Sequence, residues 1–212
     1  MKHIAHISLG LSRPGIAAKK TPGMARQGGA FAVEFALVAI IFFTLLFTIL
    51  ELSRALYMWN ILQEVTRRAA REASVTDFSD GNAMDKVRQN AVFRSSAGVL
   101  VLGAPVTDKH IRIDYFSIQS ESNNQMKKVL IPTSALPGCP TRNLITCTAR
   151  SGDPSCIRLV RVRICKPGSE DCSPVPYESL FPMIKFPVNL PKAETIVQAE
   201  SMGYVPGMPL CK

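Results

Sequence analysis

Hydrophobic residues follow two different patterns along this chain, and the first of them is one long apolar run. Residues 30–50 form 21 consecutive positions in which Glu34 is the one charged residue. A helix needs about 20 apolar residues to cross the hydrocarbon core of a bilayer. The run therefore predicts a transmembrane helix over residues 30–50, with Glu51 and Arg54 marking its end.

The helical pattern continues beyond that run. Apolar or small residues recur at three- and four-residue steps along residues 51–75, and no glycine or proline interrupts residues 30–75. We expect a projecting helix that continues from the membrane and whose apolar stripe needs a partner surface. That surface could belong to the chain's own C-terminal domain, to neighbouring subunits, or to both. Tyr57 and Trp59 suit either the membrane interface or packing along this helix. The predicted stripe consists of Leu52, Leu56, Trp59, Gln63, Thr66, Ala70 and Ala73.

The second pattern, over residues 76–212, is that of a small exported α+β domain. Ser79-Asp80-Gly81 breaks the helical pattern and offers a cap for a second helix over residues 82–97. Alternation of apolar and polar residues predicts four strands: residues 111–115, 160–164 and, more weakly, 127–131 and 195–202. Proline-rich loops lie between them, at residues 132–140, 167–176 and 182–191. The predicted fold class is α+β, with a long N-terminal helix and a small antiparallel sheet whose loops are tied by disulfides.

Positive charge is concentrated ahead of the apolar run. The net charge is +9, and more than half of it comes from five cations in the leader, residues 1–29, which holds no acid. Such cations predict a cytoplasmic N-terminus under the positive-inside rule. A second basic group lacks the interleaved aromatic residues of a nucleic-acid surface, so no nucleic-acid partner is predicted. The leader cations are Lys2, Arg13, Lys19, Lys20 and Arg26, and the second group is Arg158, Arg161 and Arg163.

A conventional cleaved signal peptide does not fit the apolar run. The apolar region of such a peptide would be shorter, and no small-x-small cleavage site follows Leu50. The apolar helix is therefore expected to remain in the mature protein.

All six cysteines lie beyond the apolar run, in the last third of the chain. An even count in the part expected to be exported predicts disulfides formed in an oxidising compartment. Zinc is the alternative, but no C-x-x-C motif occurs. Six cysteines allow 15 pairings, among which only the local pair Cys165–Cys172 is favoured, since it closes a Lys166-Pro167-Gly168 turn. The six are Cys139, Cys147, Cys156, Cys165, Cys172 and Cys211.

Motifs for catalysis are absent from the sequence. It contains no H-E-x-x-H, no G-x-S-x-G and no phosphate-binding glycine loop. His110, beside Asp108 and Lys109, is expected to be an exposed turn residue rather than a general base. No enzyme, cofactor or metal is predicted.

Two stretches of sequence carry a resemblance to a known family. Residues 29–37 read Gly-Ala-Phe-Ala-Val-Glu-Phe-Ala-Leu, and Glu51-Leu-Ser-Arg-Ala-Leu-Tyr-Met-Trp-Asn60 follows the apolar run. Together with Ala69-Ala-Arg-Glu-Ala73, they resemble the TadE-like family over about residues 26–75. Its members are pseudopilins of the bacterial tight-adherence, or Tad/Flp, pilus system.

The resemblance implies a processing site and a location. A prepilin peptidase would cut between Gly29 and Ala30, which makes Glu34 the fifth and Phe35 the sixth residue of the mature chain; a cut after Gly28 would make Glu34 the sixth. The implied protein is a single-pass inner-membrane minor pseudopilin with a periplasmic C-terminal domain. Its implied partners are the peptidase, other pseudopilins, the major pilin and the inner-membrane platform proteins. Whether it enters the fibre or stays at the base is left open, as is a start at Met1 or Met24.

The residues themselves agree with an assembly role. A carboxylate in lipid is costly, and the freed α-amine of Ala30 on a neighbouring subunit could pair with Glu34. A strip of small residues, Ala32, Ala36 and Ala39, would let a neighbouring helix approach closely. The alternative is that Glu34 snorkels to the headgroups. In that case the protein is an uncleaved bitopic envelope protein with an exported, disulfide-bonded binding domain.

Overall fold

The computed structural model describes residues 28–121, 125–181 and 187–211. The leader before Gly28 and residues 182–186 of the predicted loop 182–191 lie outside the described residues. The chain divides into two units between Phe43 and Thr44.

Helix α1 spans Gly28–Ala73, a length of 46 residues. It confirms the predicted long N-terminal helix, because nothing in residues 30–75 breaks the i to i+4 hydrogen bonding. Within the first unit its large apolar side chains are exposed, among them Phe31, Phe35 and Ile41. No residue from Phe31 to Leu50 is buried. The helix is long and apolar enough to cross a membrane.

The second unit is built on a four-stranded antiparallel sheet, in the order β2-β1-β3-β4. The strands are β1 (Ile111–Ser120), β2 (Met126–Leu130), β3 (Leu159–Ile164) and β4 (Glu194–Gln198). The four predicted strands are all present, although β1 is five residues longer than expected and β4 ends four residues earlier. In β3 every second residue is buried, so one face of the sheet closes the core.

The second half of α1 supplies the other side of that core. Met58, Leu62, Val65 and Ala69 have no exposed surface and form one cluster with Val162 and Ile164 of β3 and residues of the connecting loops. A second cluster joins Ala73 to Tyr115, Val160 and Met202. The sheet is therefore laid on α1 itself.

The chain's own domain covers the predicted stripe at Thr66, Ala70 and Ala73 but not at its beginning. Leu52, Leu56 and Trp59 are 60%, 56% and 53% exposed. The buried face lies one residue away along the helix, about 100° around it, and includes Glu51 and Arg54. A hydrophobic pattern cannot find a face whose first turn is charged. Tyr57 is partly buried against the core, as the packing alternative expected, whereas Trp59 is not.

Two short helices complete the second unit. Helix α2 spans Gly81–Ala91 and is capped by the Asp80 carboxylate, which accepts hydrogen bonds from the amides of Asn82 and Ala83. It ends six residues before the predicted end at residue 97, because Phe93 turns into the left-handed region at φ 58°. Helix α3, Pro140–Ala149, was not predicted from the sequence.

Three disulfides tie the loops: Cys139–Cys211, Cys147–Cys156 and Cys165–Cys172. The disulfide-tied loops of the predicted fold are thus confirmed, and the last bond is the local pair favoured by the sequence. The C-terminal segment also crosses the loop after α1, where Gly203 has φ 84° and a Cβ would lie 2.4 Å from the amide nitrogen of Asp77. A glycine is required at that crossing.

Removal of the Cys139–Cys211 bond should destabilise the protein more than removal of Cys165–Cys172. The two bonds close loops of 72 and 7 residues, and the chain-entropy model gives about 4 and about 2 kcal/mol for such lengths. The measurement is urea unfolding of the full chain in detergent, comparing the Cys139→Ala, Cys211→Ala double variant with Cys165→Ala, Cys172→Ala. Each variant loses two sulfurs, so the second controls for the substitutions. Equal losses would contradict the entropic ranking.

Candidate functional site

The predicted processing and assembly residues lie in the first turns of α1. Gly29 is exposed, and a Cβ built on it would meet no atom within 4 Å. Glu34 and Phe35 are exposed, as are Ala32 and Ala36, while Ala39 is partly covered. Because these residues follow α-helical spacing, Ala32, Ala36 and Ala39 lie on one face. Their roles in cleavage and assembly stay predictions.

A buried polar network forms where the apolar run ends. Glu51 is 2% exposed, and its Oε1 accepts a hydrogen bond of 2.6 Å from the hydroxyl of Tyr177. The backbone amide of Leu180 donates to Oε2 at 3.1 Å. A carboxylate so deeply buried must be paired or hydrogen-bonded, because desolvation of a charge is expensive. Glu51 therefore fixes the segment around Tyr177 and Leu180 to α1.

Arg54 extends the same network to two further loops. It is 8% exposed, and its Nη1 lies 3.8 Å from Oε1 of Glu51. Its guanidinium donates to the carbonyl oxygens of Leu102 at 3.2 Å, of Ala104 at 2.8 Å, and of Glu178. One turn of α1 thus binds the loops of residues 100–106 and 177–180.

Tyr177 completes the network, with its ring packed against the Arg54 guanidinium. The Arg54 guanidinium carbon lies 5.2 Å from the centre of the Tyr177 ring, which favours a cation–π contact. Burial raises the pKa of Tyr177, and the adjacent Glu51 carboxylate raises it further, more than Arg54 lowers it. The phenol therefore stays protonated and able to donate to Glu51.

An apolar groove lies beside this network. Its cavity is about 270 Å³ in volume, between α1 and the segment of residues 188–191. Leu52, Ala55 and Trp59 line it from the helix, and Val188, Leu190 and Pro191 from the opposite side. Leu52 and Trp59 are the residues that the predicted stripe placed in contact with a partner.

A second ion cluster lies on the outer face of the sheet. Asp114 of β1 binds Arg112 at 3.0 Å, Arg161 at 2.9 Å and Arg163 at 2.8 Å. Burial would raise the pKa of Asp114, but the hydrogen bonds from these arginines outweigh it and lower that pKa. Arg161 also lies 4.5 Å from the centre of the Phe116 ring. Two members of the basic group in the sequence, Arg161 and Arg163, are thus internal partners of Asp114.

His110 was wrongly expected to be exposed. It ends a 3-10 turn, Asp108–His110, and is 9% exposed. Its Nδ1 accepts a hydrogen bond of 3.0 Å from the amide of Thr107, so the ring caps its own turn and is covered. Burial lowers the pKa of His110 despite the nearby Asp108. Across the described part of the chain, no cluster of histidine, cysteine or acidic side chains could hold a metal ion.

These features define a class of protein: a long helix, apolar in its first half, whose second half carries a small disulfide-tied antiparallel sheet. Residues 29–71 match the model of a family described as TadE-like protein. The resemblance predicted from the sequence is confirmed over these residues, which all lie in α1. The match indicates involvement in a Tad pilus, and the family is a structural, pilus-related one rather than an enzyme family. No curated protein and no solved structure matches the chain.

The sequence did not identify the Glu51–Arg54–Tyr177 network. The sequence shows that Glu51 and Arg54 are an acid and a base three residues apart on α1. Such pairs also form on exposed helix surfaces, so the spacing does not indicate burial. Tyr177 lies 126 residues further along the chain. No local signal links the two segments.

Replacement of Arg54 by methionine should strongly destabilise the second unit. Methionine fills part of the space but leaves the Glu51 carboxylate without its positive partner and three carbonyl groups without their donor, a loss of about 3–5 kcal/mol for a broken buried pair. Urea unfolding should show the shift. Arg150→Met is the matched control, since Arg150 also pairs at i,i+3 but its side chain is 81% exposed. Its unfolding midpoint should stay nearly unchanged, and equal effects would show that the network is not stabilising.

Proposed function

We propose that this protein is a minor pseudopilin, a non-enzymatic structural component that helps to start or assemble a Tad/Flp-type pilus. The observation that carries the proposal is the family match, which begins at Gly29 and runs along α1 to Arg71. The match starts at the glycine after which the mature segment would begin. Glu34 is exposed on the surface of α1 among apolar side chains, where a neighbouring subunit could reach it.

The proposed protein lies in the inner membrane with a single span. Residues 1–29 form the cytoplasmic leader, residues 30–50 cross the bilayer, and residues 51–75 project from it. Residues 76–212 form the periplasmic domain, whose three disulfides suit that compartment. Its proposed partners are prepilin peptidase, the other pseudopilins, the major pilin and the platform proteins.

In this proposal Glu34 acts in assembly. Cleavage frees the α-amine of Ala30, and that amine on one subunit pairs with Glu34 on the next. Two opposite charges that meet in lipid offset much of the cost of burying each. The small side chains of Ala32, Ala36 and Ala39 let the two helices approach closely.

The first test concerns processing at Gly29. Gly29→Leu should leave a larger, unprocessed species on a gel, because a bulky residue blocks access to the bond that the peptidase cuts. The change should not disturb the fold, since nothing lies within 4 Å of a Cβ at Gly29. Gly81→Leu is the control, because Gly81 also has open space around it. N-terminal sequencing should find Ala30 first in the wild type; a mature chain that begins at Met1 or Met24 supports the uncleaved bitopic protein instead.

The second test separates membrane insertion from assembly. Glu34→Gln removes the charge, so insertion should become easier, but the amine of the neighbouring chain loses its partner. We expect a variant that is inserted and cleaved normally yet crosslinks poorly to other pilus subunits and supports little piliation. Glu64→Gln, the same change at an exposed position beyond the apolar run, should leave crosslinking intact. Wild-type piliation with Glu34→Gln would mean that the carboxylate is incidental.

A further inference from the structure

Several loops of the second unit present apolar side chains to the outside near one stretch of α1. Leu102 is 69% exposed, Val101 52%, Leu180 51% and Val188 51%. We call these four residues, together with Phe181, the apolar collar. They come from three separate segments of the chain, so their presence near one part of the helix is a product of the fold.

Two of the three collar segments contact α1 directly, at helix positions between residues 47 and 57, and the third, at Val188, faces the helix across the groove. The Phe181 ring lies 4.5 Å from the Phe47 ring, and the amide of Leu180 donates to Glu51. The carbonyl oxygens of Val101 and Leu102 accept from Tyr57 at 3.0 Å and from Arg54 at 3.2 Å. Val188 lines the groove beside α1.

The contact between Phe181 and Phe47 relates the collar to a bilayer. Phe47 belongs to the apolar run of residues 30–50, three residues before its end. If that run crosses the bilayer, a side chain packed on Phe47 lies at the depth of the last helical turn in lipid. At 1.5 Å per residue, Arg54, which binds Leu102, lies about 6 Å beyond the end of the run at Leu50, and Tyr57, which binds Val101, lies about 10 Å beyond it. The headgroup layer occupies roughly 5–8 Å on each side of the hydrocarbon core, so Leu102 is held at its depth and Val101 near its outer edge.

The backbone of the collar supports a role outside the protein core. Leu102 adopts φ 53°, a left-handed conformation in which glycine or asparagine would be less strained. Leucine does not relieve the strain of this backbone conformation, and its side chain is exposed rather than buried in the core. An exposed apolar side chain held in a strained turn is therefore a candidate contact.

The charges of the adjoining helix also fit a lipid environment. Glu51 and Arg54 are the charged groups of α1 at this level, and both are turned into the protein and paired. The outer side of the same turns presents Leu52 and Leu56. Glu178 is an exposed acid in the same segment and can reach water from the edge of the collar.

We propose that the collar seats the second unit on the surface of the bilayer that α1 crosses, with Leu180 and Phe181 in the lipid interface and Val101, Leu102 and Val188 around them. The occupant is the lipid itself. The inference rests on the proposed membrane span of residues 30–50. It adds that the domain is held against the membrane by its own loops as well as by the helix.

Depth-dependent fluorescence quenching tests this proposal. The sequence has a single tryptophan, Trp59, so Trp59→Phe provides a background for new single probes: Leu180→Trp, Leu102→Trp, Ile41→Trp and Ile145→Trp. Each full chain is placed in phosphatidylcholine vesicles without bromine, with lipid brominated near the headgroup, and with lipid brominated near the end of the acyl chain, which lies at the depth expected for position 41. Ile41 lies in the proposed span, and Ile145, on α3, is 54% exposed like the collar residues. Val101→Trp is a second probe of the same turn if Leu102→Trp does not fold.

We expect brominated lipid to quench the probes at positions 180 and 102 at least twofold more than the probe at 145. Quenching at 41 alone would overturn the collar while the proposed span stands. Lack of quenching at all four positions would overturn both. Protection of positions 180 and 102 from a water-soluble quencher without quenching by lipid, lost as the protein is diluted into excess vesicles, would mean that a second copy covers the collar and would also overturn the proposal.

Discussion

The burial of Glu51 and Arg54 is the interaction on which the second unit depends. Two charges three residues apart on α1 are removed from water and paired with each other, with Tyr177, and with the backbone of two loops. Such a network is poor at adding net stability compared with apolar packing, because desolvation offsets most of the attraction. It is good at specifying geometry, since each hydrogen bond forms only when its donor and acceptor are held at the right distance and angle. Here it determines which face of α1 turns inward at the start of the domain.

That choice of face explains which parts of the fold the sequence could predict. The length of α1, the α+β class and the four strands follow from local signals: an unbroken run, alternation, and the Asp80 cap. The face of α1 that the domain covers beside Leu52, Leu56 and Trp59 could not be predicted from the neighbouring sequence, because that face consists of the charged residues Glu51 and Arg54. A hydrophobic pattern assigns charged residues to the exposed side of a helix. The groups that allow Glu51 and Arg54 to be buried instead, Tyr177 and the carbonyl oxygen of Leu102 among them, are more than 45 residues away in sequence.

The remaining misses have related causes. Helix α3 begins at Pro140, a residue that suits a first helical turn as well as a loop. His110 gives the same sequence signal whether it caps its turn or faces solvent. Arg161 and Arg163 read as a basic patch until the pairing of β1 with β3 places Asp114 opposite Arg161. Of the three disulfides, the one across a short turn could be predicted, while the bond spanning 72 residues could not.

Helix α1 has two parts that differ in how far the protein covers them. From Phe31 to Leu50 no residue is buried by the protein, although the Phe47 ring packs against Phe181. From Met58 to Ala73 the helix forms one wall of the core. The domain therefore cannot be regarded as a globule that folds without the helix, because removal of residues 58–73 would also remove one wall of its core.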